Sequence, residues 1–475
     1  MNGLGRITVL GTGTGAPLDE GARAAVAGAG LVVGGRRHLA AAPVPDSAGR
    51  VTLGPLAPAL EAIARHLEKG AGGGPVVVLA SGDPGFFGIV RVLAERFGGE
   101  RLDVRPGVSS VAAAWARAGL PWDDAVVVSA HGRALRTAVN VCRAHPKVAV
   151  LTGPGAGPAE LGAALAEGSG GPGGRVLVVL RALGDPGAAR VDRVSPAEAA
   201  ARDWGGSVNV VLCLDPARAL GPARTVAGPP AGPEGGWALP EEAFAHRDSM
   251  ITKAEVRALA LARLGPRLGE LVWDVGAGSG SVAVECARLG AAVVAVERAA
   301  DGVGRIRANA AAHGVDVRVV HGEAPGVLAA LADDPDAVFL GGGGAGLPDL
   351  VAACARRARR TVVVALAALD RVPAARAALT AAGWEVDGVL LQSSRLAPLP
   401  GDVTRLAAAN PVFLLWGVRP PEPSADPVEP AEPVEPVEPA ESAAPVDPAE
   451  PAAPVDPAEP VSPVHPVGPV EGVAL

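Results

Sequence analysis

The run Asp274-Val275-Gly276-Ala277-Gly278-Ser279-Gly280-Ser281 leaves this chain few ways to fold. Residues 272–275 read as a strand and residues 282–289 have helical spacing, so the three glycines stand at a strand-to-helix turn. Gly276 and Gly278 permit a tight turn and close backbone approach, and Gly280 lets the helix pack close. The helix N-terminus favours an anionic group. Glu297 ends the next strand, 21 residues after Gly276, where a carboxylate can bind ribose hydroxyls. Together these features ask for a nucleotide-type ligand.

A nicotinamide dinucleotide fits less well than S-adenosylmethionine. The spacing is GxGxG after an acidic residue, not GxGxxG. No residue downstream reads as a hydride-site His or Lys. S-adenosylmethionine carries a carboxylate and no pyrophosphate, and the shorter loop suits it.

Around this loop the sequence alternates strands and helices. A helix at about 252–264 precedes strands at 271–275, 292–296, 317–320, 337–340, 361–365, 385–391 and 412–416. Helices are expected between the first five, and a long loop without a helix between the last two. Seven strands with an antiparallel final pair predict a doubly wound open sheet. Residues 1–214 alternate too, with strands at 7–10, 76–79, 102–104, 126–129, 148–151, 176–180 and 208–214, and helices such as 57–68 and 89–97. This is an α/β pattern with a largely parallel sheet near the start. Residues 215–245, rich in Pro and Gly, read as a linker. From Pro420 onward 17 prolines fall in 56 residues at a period near three, which predicts an extended, disordered Pro/Glu-rich tail. The expected divisions are therefore 1–215, 216–245, 246–419 and 420–475.

The formal net charge of -8 comes from that tail, which holds 12 acidic residues and no Lys or Arg. The body is mildly basic, which suits an anionic substrate. It has no dense basic stripe, so nucleic acid is not expected as a partner. Cys142, Cys213, Cys286 and Cys354 form no CxxC and read as buried free thiols of a reducing cytoplasm. The eight histidines form no metal-binding pattern, so no protein-held metal is expected. No run of about 18 apolar residues suggests a membrane span, and the N-terminus shows no secretory signal. A cytoplasmic location is the expectation.

The N-terminal part carries its own motifs. Gly11-Thr12-Gly13-Thr14-Gly15 follows the first strand, and no acid ends the next strand (31–33), so this is not a dinucleotide fingerprint. "ASGDPGFFG" (80–88) and "RPGVSSVAAAWARAGLPWDDAVVVSAHGR" (105–133) follow later strands, with "VGGRRHL" (33–39) and "LTGPG" (151–155) besides. Together they resemble the tetrapyrrole (corrin) methylases that act on precorrin-7-type substrates, over roughly residues 5–215. The runs "MITKAEVRALALARL" (250–264), "WDVGAGSGSVAVE" (273–285), "VFLGGGG" (338–344) and "NPVFLLWG" (410–417) resemble the class I methyltransferases that methylate and decarboxylate precorrin-6B-type substrates, over about 245–418. Both halves in this order resemble the fused precorrin-6Y C5,15-methyltransferase (decarboxylating) family of cobalamin biosynthesis.

That resemblance implies a tetrapyrrole-methylase fold of two α/β lobes, then a Rossmann-like methyltransferase, each with one S-adenosylmethionine site. It implies a precorrin substrate, methylation at carbons 5 and 15 with loss of the ring C acetate carboxyl, and a homo-oligomer. In the C-terminal half it assigns cofactor contacts to Thr252, Gly276, Ala277, Gly278, Ser279, Gly280, Glu297 and Ala324. Thr252 also reads as a helix N-cap, and Gly341 to Gly344 as a floor for a flat macrocycle or as a flexible loop. In the N-terminal half it assigns cofactor lining to Gly82, Asp83, Pro84, Ser109, Ser110 and Thr152. Asp83 also reads as an Asx-turn residue, and His131 as a site residue or a core or loop histidine. The division of Gly11, Gly13 and Gly15 between cofactor and substrate stays open. One departure stands out: near residues 179–187 the family pattern has a Glu-Asn pair where this chain has Arg181-Ala182.

The sequence assigns no catalytic residue, as methyl transfer from a sulfonium needs mainly alignment and exclusion of water. The competing readings are a two-domain methyltransferase acting on RNA or another small molecule, and an interaction protein working through the tail. No Asn/Asp-Pro-Pro-aromatic motif follows the fourth strand, which weakens the nucleic-acid version.

Overall fold

Three large sheets and one two-stranded hairpin make up the architecture, in a computed structural model that describes residues 6–420 except 16, 167–173, 184–186, 206–208, 222–225, 229–234, 248–250 and 343. The tail from 421 onward, Val208 at the head of one predicted strand and Gly184 to Pro186 lie outside the described residues. Among those described, no helix is long and apolar enough to cross a membrane. No group of three His, Cys, Asp or Glu among them is placed to hold a metal ion. All four cysteines are buried and free.

The first sheet holds β1 (Ile7–Gly11), β2 (Leu31–Gly34), β3 (Gly49–Thr52), β4 (Val76–Ala80) and β5 (Leu102–Arg105) in the order β3-β2-β4-β1-β5. All its pairings are parallel. β4 is buried at every residue, as a strand covered on both faces must be. The second sheet holds β6 (Val126–Ser129), β7 (Lys147–Leu151), β8 (Val176–Arg181), β9 (Arg190–Val194) and β10 (Asn209–Leu214), ordered β6-β7-β10-β8-β9. Only β6–β7 is parallel; the other pairs are antiparallel. β3 and β9 escape the sequence pattern because they are short edge strands with mostly exposed polar residues. The Ser110–Ala118 helix leaves the first sheet and buries Val111, Ala114 and Trp115 among Ala149, Val178, Leu180, Val210 and Leu212 of the second.

The third sheet is seven-stranded. It holds β11 (Leu271–Val275), β12 (Ala292–Glu297), β13 (Arg318–His321), β14 (Ala337–Gly341), β15 (Thr361–Leu366), β16 (Glu385–Leu391) and the last strand, β19 (Val412–Val418). The order is β13-β12-β11-β14-β15-β19-β16, with β19 antiparallel to both neighbours. The doubly wound sheet and its antiparallel end match the expectation. Two details differ. Between β13 and β14 stands only a 3₁₀ turn, Gly326–Ala330. The long loop before β19 is a hairpin, β17 (Ser394–Leu399) with β18 (Val403–Ala408). Leu396, Leu399, Val403 and Leu406 of this hairpin are exposed, so it has no buried alternating face to betray it.

The end of the predicted linker is packed against the C-terminal half. Phe244 is buried with Ile251, Val284 and Ala310. The Leu239 N–H donates to Glu285 Oε1 at 2.7 Å.

Candidate functional site

In the third sheet the chain order reverses between β11 and β14: from β11 it steps outward to β12 and β13, and β14 begins the other side. Ligand crevices in such sheets open at this reversal, beyond the strand C-termini. There Gly276, after β11, faces Gly341, the last residue of β14. A Cβ on Gly276 would lie 3.1 Å from Gly341 O, and one on Gly341 would lie 3.0 Å from Gly276 O. The two loops thus touch through bare backbone. Gly276, Gly278 and Gly280 have φ of +75°, +58° and +74°, a region where L side chains are strained. A Cβ on Gly278 would meet nothing within 4 Å, which leaves room for a ligand. A Cβ on Gly280 would strike Ile306 at 2.9 Å, so this glycine does bring helix and loop close.

Glu297 braces the loop. Its Oε2 accepts from the Gly278 N–H and its Oε1 from the Ala299 N–H, both at 2.8 Å. The Gly276 and Ala277 N–H groups donate to Val296 O, and the Gly322 N–H donates to Glu297 O. These bonds gather Gly276, Ala277, Gly278, Glu297 and the segment leading to half-buried Ala324. Ser279 is buried, and its carbonyl accepts from Asn309 Nδ2 at 2.8 Å. Asn309 also exchanges two bonds with the backbone of Ala245, tying loop and linker together. Sequence reasoning passed over Asn309, since a single Asn in a helix carries no distinguishing signal.

Thr252 arrives by a different route. It precedes the Ala254–Leu264 helix, which packs with the Ser281–Arg288 helix over Val272 and Phe339. The N-cap position is Lys253, not Thr252, and the Ala254 N–H is taken by Glu241 Oε1 at 2.9 Å. A carboxylate from the preceding turn thus replaces the predicted hydroxyl cap. Thr252 contributes its carbonyl, which accepts from Arg257 Nη1.

Asp274 lies beneath the loop, fully buried, with Oδ2 accepting from the Ala283 N–H at 2.9 Å. Its Oδ1 is buried without a hydrogen-bond partner. Burial pushes its pKa up to about 7, and the charge of Glu297 adds to the shift.

In the N-terminal half three glycine loops interlock at the ends of β1, β4 and β5. A Cβ on Gly11 would sit 2.4 Å from Gly107 N, and one on Gly107 would sit 2.5 Å from Gly82 O and 2.6 Å from Gly13 N. Gly13 and Gly82 exchange backbone hydrogen bonds at 3.2 and 2.8 Å. Pro84 is buried against Gly11. Asp83 does make an Asx turn, accepting from the Gly85 N–H at 2.8 Å. Ser109 caps the next helix through the Ala112 N–H, and Ser110 is that helix's first residue. Thr152, buried after β7, comes from the second sheet, and its carbonyl lies 3.2 Å from His131 Nδ1. The two lobes meet where Arg133 lies over the Phe87 ring, 5.9 Å from its centroid.

At the departure from the family pattern, Arg181 pairs with Asp192 at 3.1 Å and lies over Trp204. Ala182 has φ of +51°. Asn adopts this left-handed conformation far more readily than Ala.

Each of the two unlike α/β units thus carries glycine loops at the C-terminal ends of its parallel strands. Residues 6–194 match the family of Tetrapyrrole (Corrin/Porphyrin) Methylases, and residues 242–419 match the Precorrin methyltransferase domain. The chain is 38% identical over 350 residues to a precorrin-6Y C(5,15)-methyltransferase [decarboxylating] of Sinorhizobium sp, covering 71% of this chain and 78% of that protein. It is 36% identical to a probable cobalt-precorrin-6B C(15)-methyltransferase (decarboxylating) of Pyrobaculum calidifontis, over 37% of this chain and 93% of that one. It is 34% identical to the cobalt-precorrin-7 C(5)-methyltransferase of Salmonella typhimurium, over 44% of this chain and 98% of that one. The chain belongs to the precorrin-6Y C(5,15)-methyltransferase (decarboxylating) family.

Proposed function

We propose that this chain methylates a precorrin at carbons 5 and 15 and removes the ring C acetate carboxyl as CO₂, in cobalamin biosynthesis. In this reading residues 1–215 carry the C5 reaction and 246–419 the C15 reaction with decarboxylation, each with its own S-adenosylmethionine site. The observation that supports it most is the bare-backbone contact of Gly276 with Gly341 beside the Glu297 carboxylate.

Bound S-adenosylmethionine supplies an electrophilic methyl group on a sulfonium. The protein's part is to hold, align and shield. Glu297 takes the ribose hydroxyls, and its bond to the Gly278 N–H holds the loop that cradles the amino-acid end. Gly276, Ala277, Ser279 and Gly280 shape that loop, while Thr252 and Ala324 flank it. Gly341, Gly342 and Gly344, the described glycines at the end of β14, offer a floor without side chains, against which a flat ring can lie. In the N-terminal half Gly82 to Pro84, Ser109, Ser110 and Thr152 line the second site. Decarboxylation needs an electron sink beside the carboxyl, and the conjugated macrocycle provides it.

The test is mass spectrometry of a precorrin-6B-type macrocycle incubated with the full chain and methyl-deuterated S-adenosylmethionine. Two labelled methyl groups gained and one CO₂ lost are expected. A product with a single methyl group, or with its carboxyl retained, overturns the reading.

A further inference from the structure

One strand over from the glycine interlock, three polar side chains meet. The Arg36–Ala41 helix follows β2, and β2 pairs with β4. Ser81 stands between the end of β4 and Gly82. Its Oγ accepts from Arg37 Nη2 at 2.8 Å and lies 3.3 Å from His38 Nε2. Arg37 Nε also lies 3.3 Å from that same nitrogen.

A guanidinium N–H can only donate. His38 Nε2 is therefore the accepting, unprotonated nitrogen, and the ring proton sits on Nδ1. The Ser81 hydroxyl, already accepting from Arg37, points its own proton at Nε2. The result is a neutral imidazole joined by a hydroxyl to the loop that carries Gly82, Asp83 and Pro84.

Methylating a ring carbon that bears hydrogen requires that carbon to give up a proton. We propose that His38, acting through Ser81, takes up the proton that leaves carbon 5. This rests on the reading of the N-terminal half as the C5-methylating half. The balance is complete. The C5–methyl bond forms from the ring's π electrons as the donor's carbon–sulfur bond breaks, its electron pair staying on sulfur. The C5–H bond then breaks, its electrons restore the conjugation, and its proton goes to Ser81 as the Ser81 proton passes to Nε2. Burial, and then the Arg37 charge, hold the His38 pKa down at about 4, so the imidazole is uncharged and able to accept at neutral pH. A weak base suffices here, because the ring losing the proton is cationic and regains its conjugation.

The test uses the full chain with a macrocycle deuterated at carbon 5. In His38→Gln and Ser81→Ala, C5 methylation should slow on the order of 10²-fold. A primary deuterium isotope effect should appear in both variants that the wild type lacks, while C15 methylation and CO₂ release continue at the wild-type rate. In the ligand-free wild type, ¹⁵N NMR should show His38 protonated on Nδ1 at neutral pH. Variants that match the wild type, variants slowed without an isotope effect, or an Nε2-protonated ring each overturn the inference alone. A wild type that leaves carbon 5 unmethylated overturns the reading of this half and the inference with it.

Discussion

Arg136 and Asp336, 200 residues apart, meet in a two-pronged ion pair with N–O distances of 3.2 and 2.7 Å. Arg136 lies on the Leu135–Ala144 helix of the second lobe, and Asp336 just precedes β14. Around them Arg143 pairs with Asp333, Arg175 and Arg218 both reach Asp316, and Asn140 Nδ2 donates to Gly269 O. Gly269, Asp316, Asp333 and Asp336 all precede strands of the third sheet. The N-terminal half therefore docks at the end of that sheet opposite the Gly276 loop, and the two candidate sites share no cleft.

Arg136→Glu puts a negative charge against Asp336 in a partly buried place, and should weaken the docking by about 2–4 kcal/mol. Calorimetry is expected to show separate unfolding of the two halves, with both methyl transfers retained. The added swap Asp336→Arg should not restore docking fully, because Asp336 Oδ2 also accepts the Leu271 N–H at 2.7 Å.

Gly107→Ala should abolish C5 methylation and spare the C15 reaction. The new methyl would meet only backbone, Gly82 O at 2.5 Å and Gly13 N at 2.6 Å, and no flexible side chain can give way. Product mass spectrometry reads both methyl groups in one sample. Loss of both would contradict independent sites.

Glu297→Ala should do the reverse. It removes the acceptor of the Gly278 and Ala299 N–H groups, and C15 methylation with CO₂ release should fall at least 10-fold, which is about 1.4 kcal/mol. Calorimetric titration with S-adenosylmethionine should show one of the two sites per chain weakened and the other unchanged.

Asp274 sets a pH dependence of stability. Its folded pKa of about 7 lies above the ordinary 3.8, so the folded state binds this proton more tightly. Its contribution is fully present below about pH 4 and is lost as pH rises through about 7. Asp274→Asn keeps an acceptor for Ala283 and cannot ionise. Thermal unfolding of wild type and variant should diverge over this window, with the wild type losing stability relative to the variant as pH rises. Parallel curves would show that Asp274 ionises without cost.

Ala182→Asn should stabilise the chain by about 0.5–1 kcal/mol, because Asn tolerates the left-handed backbone that Ala182 adopts at φ +51°. Denaturant unfolding measures it, and an unchanged midpoint counts against strain at this residue.

Much of the architecture was legible because periodicity and punctuation agreed. β11 and β12 are apolar apart from Asp274 and Glu297, and their bounds hold almost to the residue. Glu297 was legible from spacing alone, since the end of the second strand of such a unit is a defined place. The hairpin of β17 and β18 was not, because exposed Leu396 and Leu406 write no buried stripe. The structure puts the N-cap at Lys253 and not at Thr252 because Glu241, in the preceding turn, takes the Ala254 N–H; Arg395 holds Glu241 in place, donating to it at 2.6 and 2.8 Å. Asn309 carried no local signal, and although Arg37, His38 and Ser81 lie in motifs the sequence singled out, their meeting was not legible, since Arg37 and His38 sit on the Arg36–Ala41 helix and Ser81 follows β4, more than 40 positions away.

The sequence by itself determined the two α/β units, the glycine loops and the acid at Glu297, because strand period, turn chemistry and spacing are local properties of the chain. Only the tertiary structure decided that Gly276 abuts Gly341, that Gly11, Gly82 and Gly107 interlock, and that Arg136 meets Asp336. Each joins residues scores of positions apart, and what selects them is the steric and electrostatic fit of surfaces that exist only once the sheets have formed.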